Sequence, residues 1–229
     1  MSRAALTREV IVEVSIRLID TEGADRFTLR RLGDALAADP TAIYRHFRDK
    51  DELLRAVGDR AIAGLTDGLP DDSEGWRTIV TEACLRLRAA HVGWPHLATL
   101  VRSGPPMQSN EFALTEVLLW ELRRAGLEPS DAALAYHSLI ELTVGSAALD
   151  AETSALRADA RSARYDRWRQ AYAALDARTY PTSVALAPEL YAGSAEDRFR
   201  QALEWLLDGI EARAVASARR GERAVPLVG

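Results

Sequence analysis

Cysteine is almost absent from this chain. Cys84 is the only one in 229 residues, which excludes an internal disulfide and any zinc site built from several thiolates. Lysine is almost absent too: of 29 basic side chains, Lys50 alone is not arginine. No run of 18 apolar residues is evident, so no membrane-spanning segment is expected. The first residues, MSRAALTREVIVE, carry acids inside their apolar pattern and do not read as a secretory signal. These features favour a cytoplasmic protein. Strand-like alternation, internal repeats, a phosphate-binding loop, a dinucleotide fingerprint, a nucleophile elbow and a metal motif are all missing. No cofactor, no bound metal and no enzymatic activity is therefore expected. His91 and His96 stand five apart across a proline, which is poor spacing for a metal.

What is present is helical period throughout, so the fold class is all-α. Hydrophobic residues make up 48% and charged residues 28%, enough for a sizeable core and against disorder. Helix one is expected from about Thr7 to Thr21, with Val10, Val14 and Leu18 as an inward stripe widened by Ile11 and Ile19. Thr28 caps a second helix running to about Leu36, with Leu29, Leu32 and Leu36 inward. Asp39 caps a third, with Pro40 in its first position, ending near Phe47. Asp49 and Glu52 form a capping box for a fourth, from Lys50 to about Leu65. The stretch DGLPDDSEG marks a boundary, giving a first domain of residues 1–66 and a second of 67–229. In the second domain the pattern predicts helices over Trp76–Ala90, Pro95–Ser103, from a Ser109 cap to about Ala125, Asp131–Glu152, Arg157–Ala177 and Ala195–Ala216. Residues 178–195 read as a long loop and Arg219–Gly229 as a frayed tail.

The segment from Phe27 to Lys50 has the layout of a helix-turn-helix. Between Arg26 and Lys50 there are six basic residues against three acids. That is a small basic patch on a chain whose net charge is −5, which suits a reader of a limited DNA site and not a general condenser of DNA. On a wheel of about 100° per residue, Ile43 and Phe47 define the buried face of the third helix. Arg45 and Thr41 lie opposite, with Ala42 beside them, and Tyr44 and His46 flank the core. Arg45 is the candidate reader of a guanine edge, or else a phosphate contact. Thr41 suits a phosphate or a thymine methyl. His46 reads either as a phosphate donor or as a packed core histidine. Lys50 and Thr28 suit phosphate anchoring. Asp39 reads as a cap, with acceptance of a cytosine amine as the alternative.

The run FTLRRLGDALAADPTAIYRHFRDKDELLRAV resembles the DNA-binding domain of the tetracycline-repressor family of bacterial transcription regulators. The remainder resembles that family only in architecture, together with TYPTSVALAPEL before the last helix. The resemblance implies a ligand-responsive repressor, a homodimer on a palindromic double-stranded DNA operator, and release when a small-molecule effector binds. It also implies a phosphate contact for the Tyr44 hydroxyl and a base-edge contact for Arg30. A sensor or interaction protein of the same fold without specific DNA binding is the alternative.

The second domain is rich in aromatic and imidazole side chains. His91, Trp94, Met107, Glu116, Trp120, Tyr136, His137, Trp168 and Tyr172 are candidates for lining an effector pocket, with core packing as the competing reading. A flat or apolar organic effector suits them. The small residues Gly145 and Ala148, with Leu203, Leu206, Leu207 and Ile210 of the last helix, suggest a two-fold four-helix interface between subunits, with packing inside one subunit as the alternative.

Overall fold

Local rules start the helices and two separate cores hold them. The computed structural model describes residues 6–94, 107–154 and 156–223, with no strand among them. Ten α-helices and two short 3-10 turns occur among these residues. Helices α1 (Arg8–Glu22), α2 (Leu29–Leu36), α3 (Pro40–Ile43) and α4 (Lys50–Ala61) form the amino-terminal part. Helices α5 (Trp76–Gly93), α6 (Ser109–Arg124), α7 (Pro129–Ser154), α8 (Ala158–Ala173), α9 (Pro181–Ala185) and α10 (Ala195–Arg223) form the rest. The expected helix over residues 95–103 lies outside the described residues.

The first core gathers Ile11, Ile19, Phe27, Leu32, Ile43, Phe47, Leu53 and Val57. The inward stripe of α1 is rotated from the expected one. Val10 is 38% exposed, whereas Ile11, Val12, Ser15 and Ile19 are buried. Ser15 can sit mid-face because its hydroxyl donates to the Ile11 carbonyl at 2.8 Å, so burying it leaves no unpaired donor. The second core joins α5, α6, α7 and α10 through Val80, Cys84, Leu118, Leu122, Leu139, Leu203 and Leu207. Trp94, at the end of α5, packs against both cores.

In helix α7 the stretch Pro129–Ala151 is long and apolar enough by length and composition alone to cross a membrane, and the helix packs on α5, α6 and α10. Helix α10 continues to Arg223 instead of ending near Ala216, which the alanine and arginine content of its last turns supports. Residues 178–195 are not a plain loop, since α9 forms there with Pro181 in its first turn.

Ser109 is not the cap of α6. It is the first helical residue, and Gln108 before it makes no capping bond. The acceptor comes from another part of the chain. Asp59, near the end of α4 and 5% exposed, takes the backbone N–H groups of Asn110 and Glu111 at 3.0 and 2.9 Å. Its other carboxylate oxygen accepts the Asn110 side-chain amide at 2.7 Å, and its backbone carbonyl accepts the same amide at 3.2 Å. A helix start leaves donors unpaired and carries partial positive charge, so a buried carboxylate there is doubly favoured. Asp59→Ala strips these donors of their acceptor. We expect it to lower unfolding free energy in urea by about 1–3 kcal/mol, with Asp59→Asn, which keeps one acceptor oxygen, losing less.

Candidate functional site

The turn between α2 and α3 is built by two backbone devices. Ala37 takes a left-handed conformation, φ 48°. Gly33 allows the chain to fold back, because a Cβ there would stand 2.9 Å from the Ala38 carbonyl oxygen and 3.2 Å from Pro40 Cγ. Thr28 accepts the Arg31 N–H at 3.2 Å as the α2 cap. Asp39 accepts both the N–H and the hydroxyl of Thr41, at 2.8 and 2.7 Å. Those bonds, the hydroxyl's first, hold its carboxyl below the usual range and keep it ionised. Asp49 takes the Glu52 N–H at 2.7 Å, while Glu52 reaches back to the Arg48 N–H at 2.8 Å, one residue short of a standard capping box. Past Ile43, α3 tightens into turns through Arg45 N–H to Ala42 O (3.3 Å) and His46 N–H to Ile43 O (2.9 Å), so the regular helix is shorter than expected.

The outward surface carries Arg30, Thr41, Tyr44 and Arg45, all exposed, with Ala42 half-buried. Arg30 and Arg45 form no ion pair among the described residues. Arg31 is committed to Glu22 and Arg48 to Asp49, so part of the basic count is already neutralised. Lys50 lies at the first position of α4 and donates to the Phe27 carbonyl at 2.9 Å, which ties it beside the entry to α2. An ammonium has three donors, so two remain for solvent or phosphate. His46 is half-buried.

In the second domain the expected pocket residues separate into three groups. His91, Trp94 and Tyr136 lie inside, among α5, α6 and α7. His91 Nδ1 meets the Leu87 carbonyl at 2.9 Å, and burial pushes its pKa down. Its Nε2, Trp94 Nε1 and Glu111 Oε2 are buried without a hydrogen-bond partner among the described residues. Tyr136 shares a 2.9 Å hydrogen bond with Thr115, whose hydroxyl reaches Glu111 at 2.8 Å, and burial raises the phenol's pKa. Glu116, Trp120 and His137 face outward instead, and Met107 is 60% exposed. Trp168 and Tyr172 belong to a different place. Both pack on Tyr191, at 4.8 and 6.5 Å between ring centroids. Trp168 borders a cavity of about 390 Å³ between α7, α8 and α10, which Tyr165, Tyr191, Arg198 and Phe199 also line. Cys84 is buried among apolar neighbours, and its thiol is pushed up to about 11, so it is an inert core residue.

A family model described as the tetracyclin repressor-like C-terminal domain matches residues 69–214, and one described as bacterial regulatory proteins of the tetR family matches residues 11–57. The chain belongs to the tetracycline-repressor family. Among its relatives is the class C tetracycline repressor of Escherichia coli, 26% identical over 90% of this chain and 91% of that one. A transcriptional repressor of Streptomyces coeruleorubidus is 25% identical over 97% of this chain and 83% of its own length. The crystal structure of ActR from Streptomyces coelicolor without ligand superposes with a TM-score of 0.82 at 26% identity, covering 95% of this chain and 99% of that one. The ActR complex with actinorhodin gives 0.82 at 27% identity, covering 92% and 99%. This TetR-family chain is a ligand-responsive, DNA-binding transcription regulator.

Within that family fold, three of the residues expected at a subunit interface are instead internal. Leu203, Leu207 and Ile210 are at most 5% exposed in the core of the single subunit. Gly145 and Ala148 are exposed and Leu206 is half-buried. The apolar surface of α7 and α10 is carried by residues the sequence pattern did not single out, namely Leu134, Leu149 and Trp205, at 66, 84 and 68% exposure. Tyr165 was missed, although it stands one turn before Trp168 in the same aromatic stretch. Tyr191, placed by a left-handed φ of 59°, and Asp59 were missed too. In the helix-turn-helix, Gly33→Ala forces a Cβ onto a backbone carbonyl. We expect a loss of about 1–3 kcal/mol in unfolding free energy, measured by thermal or urea unfolding.

Proposed function

We propose that this chain is a homodimeric repressor that holds a palindromic operator and releases it when a small organic molecule binds. The first 66 residues serve DNA and residues 67–229 serve effector and partner, in the cytoplasm. The observation that carries the reading is the pair of exposed arginines, Arg30 and Arg45, left without ion pairs on a helix-turn-helix surface. Arg45 reads a guanine through O6 and N7, and Arg30 approaches a base edge from the start of α2. Thr41 has its hydroxyl hydrogen engaged by Asp39, so it offers its methyl group to a thymine. Ala42 permits close approach. Tyr44, Thr28 and Lys50 hold phosphates, and His46 packs beneath them.

The effector enters among α5, α6 and α7. Unpaired polar atoms of His91, Trp94 and Glu111 support this, since a ligand that pairs them relieves a cost of about 1–3 kcal/mol for each. So does position, because α5 ends at Trp94 between the two cores and α6 starts on Asp59. ActR, solved with actinorhodin and with (S)-DNPA, suggests by likeness a small organic effector here. Partner contact falls on the open faces of α7 and α10. Leu134, Ser138, Trp205, Leu206 and Gly209 line a groove there, and Gly145 and Ala148 extend the same helix face.

Footprinting on DNA upstream of the chain's own and neighbouring genes tests the reading. A protected palindrome is expected; no protected site at low salt sinks it. Arg45→Ala should then lose preference at one symmetric operator position, by about tenfold or more, and keep its preference elsewhere. For the partner face, Leu134→Asp with Trp205→Arg should give monomers in sedimentation at micromolar concentration, with a helical content unchanged by circular dichroism. A dimer surviving both changes would move the interface elsewhere.

A further inference from the structure

Helix α3 spans four residues, far too few to hold its own direction. Its start is held by the Asp39 cap and follows a turn so close that a Cβ at Gly33 would meet Pro40. Its end is held from another helix. Arg8, in the first turn of α1, donates through Nη1 to the His46 carbonyl at 2.6 Å. The same guanidinium lies 4.1 Å from the centre of the Phe47 ring. Nη1 also stands 3.0 Å from Glu52 Oε1, and the other Glu52 oxygen takes the Arg48 N–H. One planar cation and one carboxylate thus fix the three residues that follow Arg45.

We infer that Arg8 and Glu52 form a positioning clamp that sets the aim of Arg45, so that they govern operator discrimination without contacting DNA. This rests on the operator reading above. A carbonyl at the end of a helix turn has no partner within the helix, and a cation there is favoured by the local dipole. The geometry of a bidentate arginine–guanine contact tolerates about 0.5 Å and 10–20°. A reading helix free to tilt at its far end exceeds that tolerance at the tip of a long side chain. Phosphate contacts are more forgiving, since an ion pair needs distance more than direction. Loss of the clamp therefore removes discrimination before it removes DNA binding.

The test uses full-length protein, the duplex protected in the footprint, and a scrambled duplex of equal length, each titrated across a range of salt. Arg8→Lys keeps the charge but cannot serve a carbonyl, a carboxylate and a ring face with one planar group. Glu52→Ala removes a negative charge close to DNA. We expect each change to weaken binding to the protected duplex by about tenfold. The scrambled duplex should be bound as before by Arg8→Lys, with its salt slope unaltered, and no more weakly by Glu52→Ala. The double variant should lose little more than either single one, because both disable one device. Circular dichroism at the assay temperature checks the fold, and Glu52→Gln replaces Glu52→Ala if the latter unfolds. Simple electrostatics gives the opposite sign for Glu52: tighter binding to both duplexes, which would overturn the clamp. Wild-type behaviour of Arg8→Lys, with Arg8→Gln weakening both duplexes equally and lowering the salt slope by about one, would make Arg8 a phosphate anchor and overturn it too. A wild-type protein that prefers neither duplex removes the operator reading itself, and the clamp with it.

Discussion

The buried carboxylate of Asp59 is the constraint on which the relation between the two halves of this protein depends. It projects from α4, the last helix of the DNA-binding part, and caps the start of α6 in the other part by accepting two backbone N–H bonds. A charged acceptor removed from water must be paired, and here nearly its whole hydrogen-bonding capacity is met by Asn110 and Glu111. The arrangement has no graded intermediate. Either the α6 start sits on Asp59 or several buried polar groups lose partners together. Trp94, touching both cores a short distance away, adds an apolar contact to the same junction.

The rest of the amino-terminal part works by local rules, and that is why so much of it was readable. Thr28, Asp39 and Asp49 each cap the helix that follows within three residues, and a cap is a short-range pattern. Ile43 and Phe47 were placed inward by spacing alone, and both are buried. The turn needed more than the pattern showed. Gly33 matters because of an approach by Ala38 and Pro40 that only the folded chain reveals, and α3 proved too short to supply its own rigidity.

In the second part, periodicity located the helices but not their faces. Leu203, Leu206 and Leu207 form a cluster on α10 that a wheel cannot divide between core and partner, and packing against α7 resolved it by burying the first and third. Trp120 and His137 carry groups that suit a pocket, yet the helices turn them outward. Asp59 illustrates the deeper reason. Its partners lie 51 and 52 residues away, and no window of a single sequence contains both ends of such a contact. Tyr191 is hidden for another reason: its placement relies on a left-handed backbone that side chains other than glycine rarely adopt.

These two kinds of contact bear on how a ligand controls DNA. An effector shifts an equilibrium only by the difference in its affinity for the two arrangements, commonly about 1–3 kcal/mol. If the effector binds where proposed, the atoms of His91, Trp94 and Glu111 left unpaired among the described residues are a local source for such a difference, because pairing them rewards whichever position of α5 and α6 brings them to the ligand. On that reading Asp59 would convert that position into a position of α4, since α6 cannot shift along its axis without pulling on the carboxylate. At the other end of α4, Glu52 is bonded to Arg48 and Arg8. The helix is thus held at both ends by polar contacts that resist small displacements and break at larger ones. In the proposed dimer, a helix held in this way would carry a change in the packing of α5 and α6 to the spacing of the two reading heads without first unfolding the domain that bears them.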